Sequence, residues 1–330
     1  MDKGALLQGD TRALARAISE LEQGAPGTGL LVRELQEAAT PKRVPNQVVG
    51  VTGPPGSGKS TLVDGLTERW RAEGRRVAIL AVDPNSPFSG GAILGDRVRM
   101  QRHALDPGVF IRSMGARGHL GGVALATRGA VRLLDALGWE RVVVETVGVG
   151  QSELEVCEIA DTVVVVTTPV TGDGVQAIKA GITEVADIFA VNKADLPGAD
   201  RVRRELKDLV RRPRDEAGWR VPVLETVAAQ GGQGVGELAA ALEAHRVHLR
   251  ESGQGQVRAQ RRLRDQAVEL VAARAAAFAR SELERGGEGL LSEDPARADP
   301  EAAAERILER LGRSGRKMRW AGRWAAALKR

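Results

Sequence analysis

The chain has 330 residues, of which 42% are hydrophobic and 28% charged, with a formal net charge of +5 and one cysteine, Cys157. This composition is typical of a globular protein, excludes an intrachain disulfide, and does not favour nucleic acid as a partner. No apolar run reaches membrane-spanning length and the N-terminus has no apolar signal core, so we expect a cytoplasmic protein.

Residues 1–45 are predicted to form an N-terminal helical extension. Asp10 can cap a helix in which Leu14 and Ile18 share one face. A second short helix, around Leu35, is predicted to end before the proline-bounded linker TPKRVPN.

Residues 46–249 alternate between strand and helix patterns and are predicted to form one domain. The strand candidates are apolar along their whole length, as in strands that are covered on both faces. Helix-length spacers separate most of them, which favours an α/β fold with a parallel sheet and right-handed crossovers. The candidates are QVVGVT, RVAILAVD, VFIRSM, RVVVET, TVVVVTT, IFAVNK and VPVLET.

Residues 250–330 are predicted to form a C-terminal helical segment that holds a homodimer. Its helices have apolar faces but are too few to close a core alone. In the basic tail, Trp320, Trp324 and Leu328 recur at four-residue spacing. Such a helix could lie on a membrane, but we favour packing in the dimer or against a partner protein, and we expect no membrane contact.

The stretch GPPGSGKST follows the first predicted strand and matches the phosphate-binding pattern G-x-x-x-x-G-K-[ST]. The glycines allow backbone N–H groups to surround a phosphate chain, and the following helix presents its positive end. We expect Lys59 to reach the outer phosphates as a catalytic cation, Ser60 to ligate Mg²⁺, and the Lys59 side chain to be partly exposed without nucleotide. The predicted nucleotide-binding residues of this loop are Gly53, Gly56, Ser57, Gly58, Lys59, Ser60 and Thr61.

The stretch FAVNKADLP places Asn192, Lys193 and Asp195 after another predicted strand. Ligands bind at the carboxyl ends of strands in open parallel sheets. A carboxylate at Asp195 can accept hydrogen bonds from the ring N–H and the exocyclic amine of guanine, which favours GTP and GDP over adenine nucleotides. The loop ETVAAQGGQGV is predicted to close over the base through backbone amides near Ala228.

Carboxylates are also needed near the outer phosphate to hold Mg²⁺. Glu145 and Asp83 each stand at the end of a predicted strand, and Asp96 follows in the stretch GGAILGDRVRM. We predict that all three serve the metal, that Asp83 and Glu145 take part in catalysis, and that the Gly148 amide senses the γ-phosphate. Helix capping after a strand is the alternative role for Asp83 and Glu145.

A helix-length spacer alone joins the phosphate loop to the next predicted strand, so the second strand is predicted to be parallel to the first. Ras-like proteins have an antiparallel second strand there. The layout is that of the SIMIBI-type P-loop NTPases, the class that contains signal-recognition and metal-insertion GTPases.

The sequence resembles the MeaB/ArgK (MMAA-type) family of GTPases. The motifs that carry the resemblance, within about residues 8–245, are GVTGPPGSGKSTL, AVDPNSPFSGGAILGDRVRM, ARGHLGG, ETVGVGQSE, GDGVQAIKAGI and ADIFAVNKADLPGAD. The resemblance implies a chaperone for an adenosylcobalamin-dependent acyl-CoA mutase such as methylmalonyl-CoA mutase, in which GTP turnover gates cofactor loading and protects the mutase.

The resemblance also implies three switch regions. Asp83 and Asp96 would lie in the first, and Glu145 would open the second, which includes Gln151. The stretch TTPVTGDGVQAIKAG would be the third, with Asp173 and Lys179 as its charged members. In this third switch the chain departs from the family pattern of a Gly-Leu pair and an acid, since it carries Val170, Thr171 and Gly174 instead.

Two other functions remain open. A P-loop kinase of the formerly proposed ArgK type would need a base for the acceptor hydroxyl and a lid with arginines, and neither is identifiable. A nickel-insertion GTPase would need a cluster of histidines and cysteines. The four histidines and Cys157 do not have metal-ligand spacing.

Overall fold

Seven parallel strands form a single sheet in the computed structural model, which describes residues 2–25, 27–38, 46–83, 101–103, 105–115, 122–146, 156, 158–169, 184–229, 232–284 and 299–317. The strand order is β3-β2-β4-β1-β5-β6-β7. This topology confirms the predicted α/β P-loop fold, and the second strand pairs in parallel with both of its neighbours. The strands are β1 (Gln47–Thr52), β2 (Val77–Asp83), β3 (Val109–Gly115), β4 (Arg141–Thr146), β5 (Thr162–Thr167), β6 (Ile188–Asn192) and β7 (Val223–Thr226).

Nine α-helices and one 3₁₀ turn (Gln101–His103) lie within the described residues. None of these helices combines the length and the apolar character that crossing a membrane requires. The helices are α1 (Lys3–Leu7), α2 (Thr11–Glu22), α3 (Thr28–Ala38), α4 (Lys59–Ala72), α5 (Gly122–Ala136), α6 (Ala199–Leu209), α7 (Val235–Glu251), α8 (Gln254–Glu284) and α9 (Pro300–Lys317).

Both faces of the sheet are covered by apolar cores, because successive side chains of a strand point to opposite faces. In β1, Val48 belongs to the core that includes residues of α1, α2, α3, α5 and α6. Its neighbours Val49 and Val51 belong to the opposite core, beneath α4 and α7. The two-sided burial accounts for the continuous apolar runs in the sequence.

The N-terminal helices are attached to the same sheet. Asp10 caps α2 by accepting hydrogen bonds from the backbone N–H groups of Arg12 at 2.7 Å and Ala13 at 3.1 Å. At the other end of α2, the buried Glu22 carboxylate forms an ion pair with Arg112 of β3 at 2.7 Å. The predicted cap is therefore correct, and an ionic contact holds the helix on the sheet.

The chain divides into two compact units, residues 1–265 and 266–330, so α8 begins in the first unit and ends in the second. In the second unit, Ala303 and Ile307 of α9 are buried. Arg310 of α9 forms an ion pair with Glu282 of α8 at 3.0 Å. The predicted division at residues 249 and 250 places all of α8 in the C-terminal segment and stays a prediction.

A buried histidine lies near the amino edge of the sheet, by which we mean the edge where the strands begin. His245 of α7 is fully buried (0% exposed). Its Nδ1 shares a 2.8 Å hydrogen bond with the Thr162 hydroxyl, and its Nε2 lies 3.6 Å from the Asp187 carboxylate. Burial lowers the pKa of His245 from 6.5 to about 4, although the Asp187 charge opposes the shift, and Arg258 and His248 add to it.

This histidine makes folding stability depend on pH. Below its ordinary pKa of 6.5, the unfolded chain binds a proton that folded His245 does not accept until about pH 4. Stability is therefore lost as the pH falls between these values, by about 2 kcal/mol at pH 5. Urea unfolding at pH 7 and pH 5 measures this loss in the free energy of unfolding. The loss between the two pH values should be about 2 kcal/mol smaller in His245→Gln, which keeps a hydrogen-bonding side chain but cannot bind the proton. Equal losses in both proteins would contradict the prediction.

Candidate nucleotide-binding site

Strands β4, β1, β5 and β6 are neighbours in the sheet and end next to one another at its carboxyl edge, opposite the amino edge. β1 leads into the phosphate loop, and β4 and β5 flank it on either side. The hydroxyl of Thr146, at the end of β4, donates to that of Thr52, at the end of β1, over 3.2 Å. Both threonines are fully buried. The ends of β1 and β4 are thus held together just below the loop that the sequence predicted to bind phosphate.

Glycine is required at two positions of the phosphate loop. Gly53 has φ +139°, and a Cβ there would lie 2.0 Å from the Val166 carbonyl oxygen. Gly58 has φ +86°, and a Cβ there would lie 2.3 Å from the side-chain nitrogen of Asn192. A side chain at either position would collide with its neighbour and strain the backbone. The loop therefore closes tightly before α4 begins at Lys59.

The lysine of the phosphate loop is buried. Lys59 is 6% exposed, and its ammonium donates to the carbonyl oxygens of Gly53 at 2.8 Å and Pro54 at 3.1 Å. The expectation of a partly exposed side chain was wrong, because these carbonyls replace water around the charge. The ammonium is held within the loop, at the positive end of α4, where an anion is favoured.

Ser60 and Glu145 lie side by side across the loop. The Ser60 hydroxyl donates to Oε1 of Glu145 over 2.6 Å. Glu145 is the last residue but one of β4, directly before Thr146, and it is 7% exposed. The structure thus brings together two of the residues predicted to serve a metal, and both present the hard oxygen atoms that Mg²⁺ prefers.

Asn192 joins the phosphate loop to the loop that follows β7. Its amide nitrogen donates to the Ser57 carbonyl over 2.8 Å. Its amide oxygen accepts from the Thr226 hydroxyl at 3.1 Å and from the Ala228 backbone N–H at 3.2 Å. Asn192 is 2% exposed, so these three contacts satisfy a buried polar group.

Lys193 makes a second connection to the phosphate loop. Among the described residues, Lys193 is the only residue other than glycine that has a positive φ, at +58°. This conformation is uncommon for a side chain-bearing residue. Its ammonium donates to the Gly56 carbonyl over 2.9 Å. Asp195, the predicted guanine-binding residue, is exposed in the turn that follows β6.

Two further predicted residues lie at the end of β2 and at the start of α4. Asp83 ends β2, with its backbone paired with Gly115 of β3, and Thr61 is exposed in the first turn of α4. Five residues lie outside the described part of the chain: Asp96, Gly148, Gln151, Asp173 and Lys179.

Sequence reasoning missed Thr226. The loop ETVAAQGGQGV was predicted to cover the base, but its sequence does not indicate that Thr226 would donate a hydrogen bond to Asn192. A hydroxyl that ends a strand beside a polar loop is a weak signal. Thr226 is 1% exposed, and it becomes visible only when strands β6 and β7 are placed side by side.

Comparison with known proteins identifies the family. A sequence model of the family described as "Methylmalonyl Co-A mutase-associated GTPase MeaB" matches residues 14–283. The chain belongs to this family. A relative from Pyrococcus horikoshii is 45% identical over 93% of this chain and 96% of its own length. GTPase ArgK of Escherichia coli is 38% identical over 75% of this chain and 76% of its own length.

A solved structure has the same fold. It is the crystal structure of a LAO/AO transport system kinase, 27% identical, with a TM-score of 0.64 over 94% of this chain and 96% of that chain. Family membership and the P-loop fold make this MeaB-family protein a GTPase that binds GTP and GDP. Asn192 and Lys193 thus join the phosphate loop to the turn that the sequence predicts to bind guanine.

The Asn192 bridge makes a direct prediction for nucleotide affinity. Asn192→Ala removes three hydrogen bonds and leaves buried partners unsatisfied, at a cost of about 1–3 kcal/mol in folding. GDP affinity should fall on the order of tenfold, because the two loops lose their common support. Isothermal titration with GDP measures the effect. Thr226→Val removes one contact and serves as the control, with a smaller expected loss. Wild-type affinity in Asn192→Ala would contradict the bridging role.

Proposed function

We propose that this protein is a GTP-dependent chaperone of an adenosylcobalamin-dependent acyl-CoA mutase of the methylmalonyl-CoA mutase type. The observation that carries the proposal is the match of residues 14–283 to a family described as mutase-associated. The site supports it, since Asn192 and Lys193 hold the phosphate loop and the guanine-reading turn together. GTP turnover would then gate cofactor loading and protect the mutase.

Several groups predicted to act on the phosphates or the metal make contacts at the phosphate loop. The Lys59 ammonium contacts two loop carbonyls, and the Ser60 hydroxyl contacts Glu145. A partner that orders such groups around the γ-phosphate would raise the rate of hydrolysis, because preorganised groups lower the barrier. We assign the coupling to Gln151, Asp173 and Lys179.

We propose Mg²⁺ as the cofactor. Ser60 and Glu145 present oxygen atoms 2.6 Å apart in a partly buried site, and we propose that Asp83 and Asp96 complete the set of acidic ligands. This donor set fits a hard cation. Held by these residues, Mg²⁺ would supply positive charge that stabilises the negative charge of the phosphates. Within the described residues no group of three or more His, Cys, Asp and Glu is arranged to hold a metal ion.

A second candidate function is a P-loop kinase. It is favoured by the likeness to a solved structure named a LAO/AO transport system kinase. The two functions differ in the fate of the γ-phosphate, which a chaperone GTPase transfers to water and a kinase transfers to an acceptor. Labelled γ-phosphate that appears only as inorganic phosphate supports the chaperone.

We also propose a homodimer held by the helices of residues 266–330. Val268 of α8 is 70% exposed and Leu308 of α9 is 44% exposed. Exposed apolar residues on helices of a small unit are commonly covered by a second chain.

The mutase proposal is tested by stimulation of GTP hydrolysis. Adding the acyl-CoA mutase of the same organism should raise the rate on the order of tenfold to a hundredfold. Lys179→Ala should reduce the stimulated rate and leave GTP affinity nearly unchanged. Lys207→Ala, which removes an exposed lysine of α6, is the control and should behave as wild type. No stimulation by any such mutase rejects the partner and returns the kinase to consideration.

The dimer proposal is tested in the full-length chain. Light scattering should give a dimer at micromolar concentration, and Val268→Asp should shift it to monomer because a charge would be buried in the interface. Leu105→Asp replaces an equally apolar residue that is 96% exposed in the first unit, and it should remain a dimer. A monomeric wild-type chain would exclude the proposal.

A further inference from the structure

Two aspartates immediately precede strands β5 and β6 at the amino edge. The Asp161 carboxylate accepts the backbone N–H of Val48, and the Asp187 carboxylate accepts that of Val163, each at 2.9 Å. The backbone N–H groups of the same aspartates donate back to the carbonyls of Val48 at 2.8 Å and Val163 at 2.9 Å. Each aspartate thus extends the pairing of neighbouring strands and fixes its register.

Two arginines of α8, one helical turn apart, hold both aspartates. Arg258 donates to both Asp187 oxygens and to the Asp161 carbonyl, each at 3.1 Å. Arg262 donates to the Asp161 carboxylate at 2.5 Å and to the Ala160 carbonyl at 3.0 Å. We call these four charged side chains, Arg258, Arg262, Asp161 and Asp187, the amino-edge clamp.

The clamp matters most at Asp187. Its side chain is 1% exposed, and its other cation is Arg214 at 3.2 Å. A buried carboxylate must be paired and hydrogen-bonded to remain charged and in place. The bidentate contact from Arg258 supplies the matched geometry for this.

The strands held by the clamp carry the nucleotide loops at their other ends. β1 contains Val48, the partner of Asp161, and ends at Thr52, one residue before Gly53. β6 follows Asp187 directly and ends at Asn192. At the carboxyl edge, Asn192 reaches Ser57 at 2.8 Å and Lys193 reaches the phosphate loop at 2.9 Å. Hydrogen bonds of this length tolerate displacements of only a few tenths of an ångström. The axial positions of β1 and β6 must therefore agree closely.

We propose that Arg258 and Arg262 are positioning residues for nucleotide binding. By holding Asp161 and Asp187 in place, they set the axial positions of β1, β5 and β6 and so the spacing between the phosphate loop and the guanine-reading turn. The coupling is reciprocal, as any linkage between two sites must be. Binding of GDP then strengthens the attachment of residues 254–265 of α8 to the sheet.

The test uses the full-length chain and GDP. Arg258→Ala should weaken GDP binding about three- to tenfold, measured by titration at a temperature where circular dichroism shows a folded protein. Its kcat at saturating GTP should stay within about twofold of wild type, because the clamp does not contact the phosphate loop. The GDP affinity of Arg258→Lys should lie between those of the wild type and Arg258→Ala, since lysine keeps the charge but cannot make the bidentate contact. Arg261→Ala is the matched control, as Arg261 is 85% exposed on the same helix and pairs with Asp265.

Hydrogen exchange supplies the reciprocal measurement. GDP should slow amide exchange in residues 254–265 of the wild type and should slow it less in Arg258→Ala. A lowered melting temperature with unchanged GDP affinity would make the clamp purely structural and overturn the proposal. Equal weakening in Arg261→Ala would overturn it as well. If Arg258→Ala does not fold, Arg262→Ala carries the same expectations, because its partner Asp161 is 24% exposed and tolerates the loss.

Discussion

The side-chain amide of Asn192 is the contact on which the nucleotide site depends. It donates to the loop after β1 and accepts from Thr226 at the end of β7 and from Ala228 two residues later, all within 3.2 Å. An amide can do this because it carries donors and acceptors on one planar group, whereas a carboxylate or a hydrocarbon cannot. The phosphate loop and the loop predicted to cover guanine are therefore one hydrogen-bonded unit rather than two neighbouring loops, and either loop loses support when the amide is lost.

This contact explains features that phosphate binding alone does not. Gly58 must lack a side chain because the Asn192 nitrogen occupies the space that a Cβ would take. Lys193 adopts φ +58°, and its ammonium donates to the Gly56 carbonyl. The strain of that conformation is of order 1 kcal/mol and persists where surrounding contacts over-determine it. Gly58 and the unusual backbone conformation of Lys193 thus serve one arrangement.

The sequence was sufficient to predict the sheet, because the sheet depends on local patterns. Apolar runs of β1, β4 and β5 have every residue buried, and periodicity reports that directly. It was insufficient where atoms distant in the chain meet. Lys59 was expected to be partly exposed, yet its ammonium donates to two backbone carbonyls and its side chain is buried. Arg258 and Asp187 are 71 residues apart, and neither residue type in its local context indicates the other.

Hydrogen bonds and ion pairs fix the strands at both the amino edge and the carboxyl edge of the sheet. Because the strands are short, a displacement at one of these edges affects the other. β6 has five residues and spans about 16 Å, with Asp187 immediately before it and Asn192 at its end. A hydrogen-bonded strand this short, buried on both faces, has little freedom to absorb an axial displacement, since interiors are close-packed. A shift imposed at one edge must therefore appear at the other or break a hydrogen bond. The proposed clamp would thereby couple the nucleotide loops to α8 through the sheet itself, separately from the predicted switch regions.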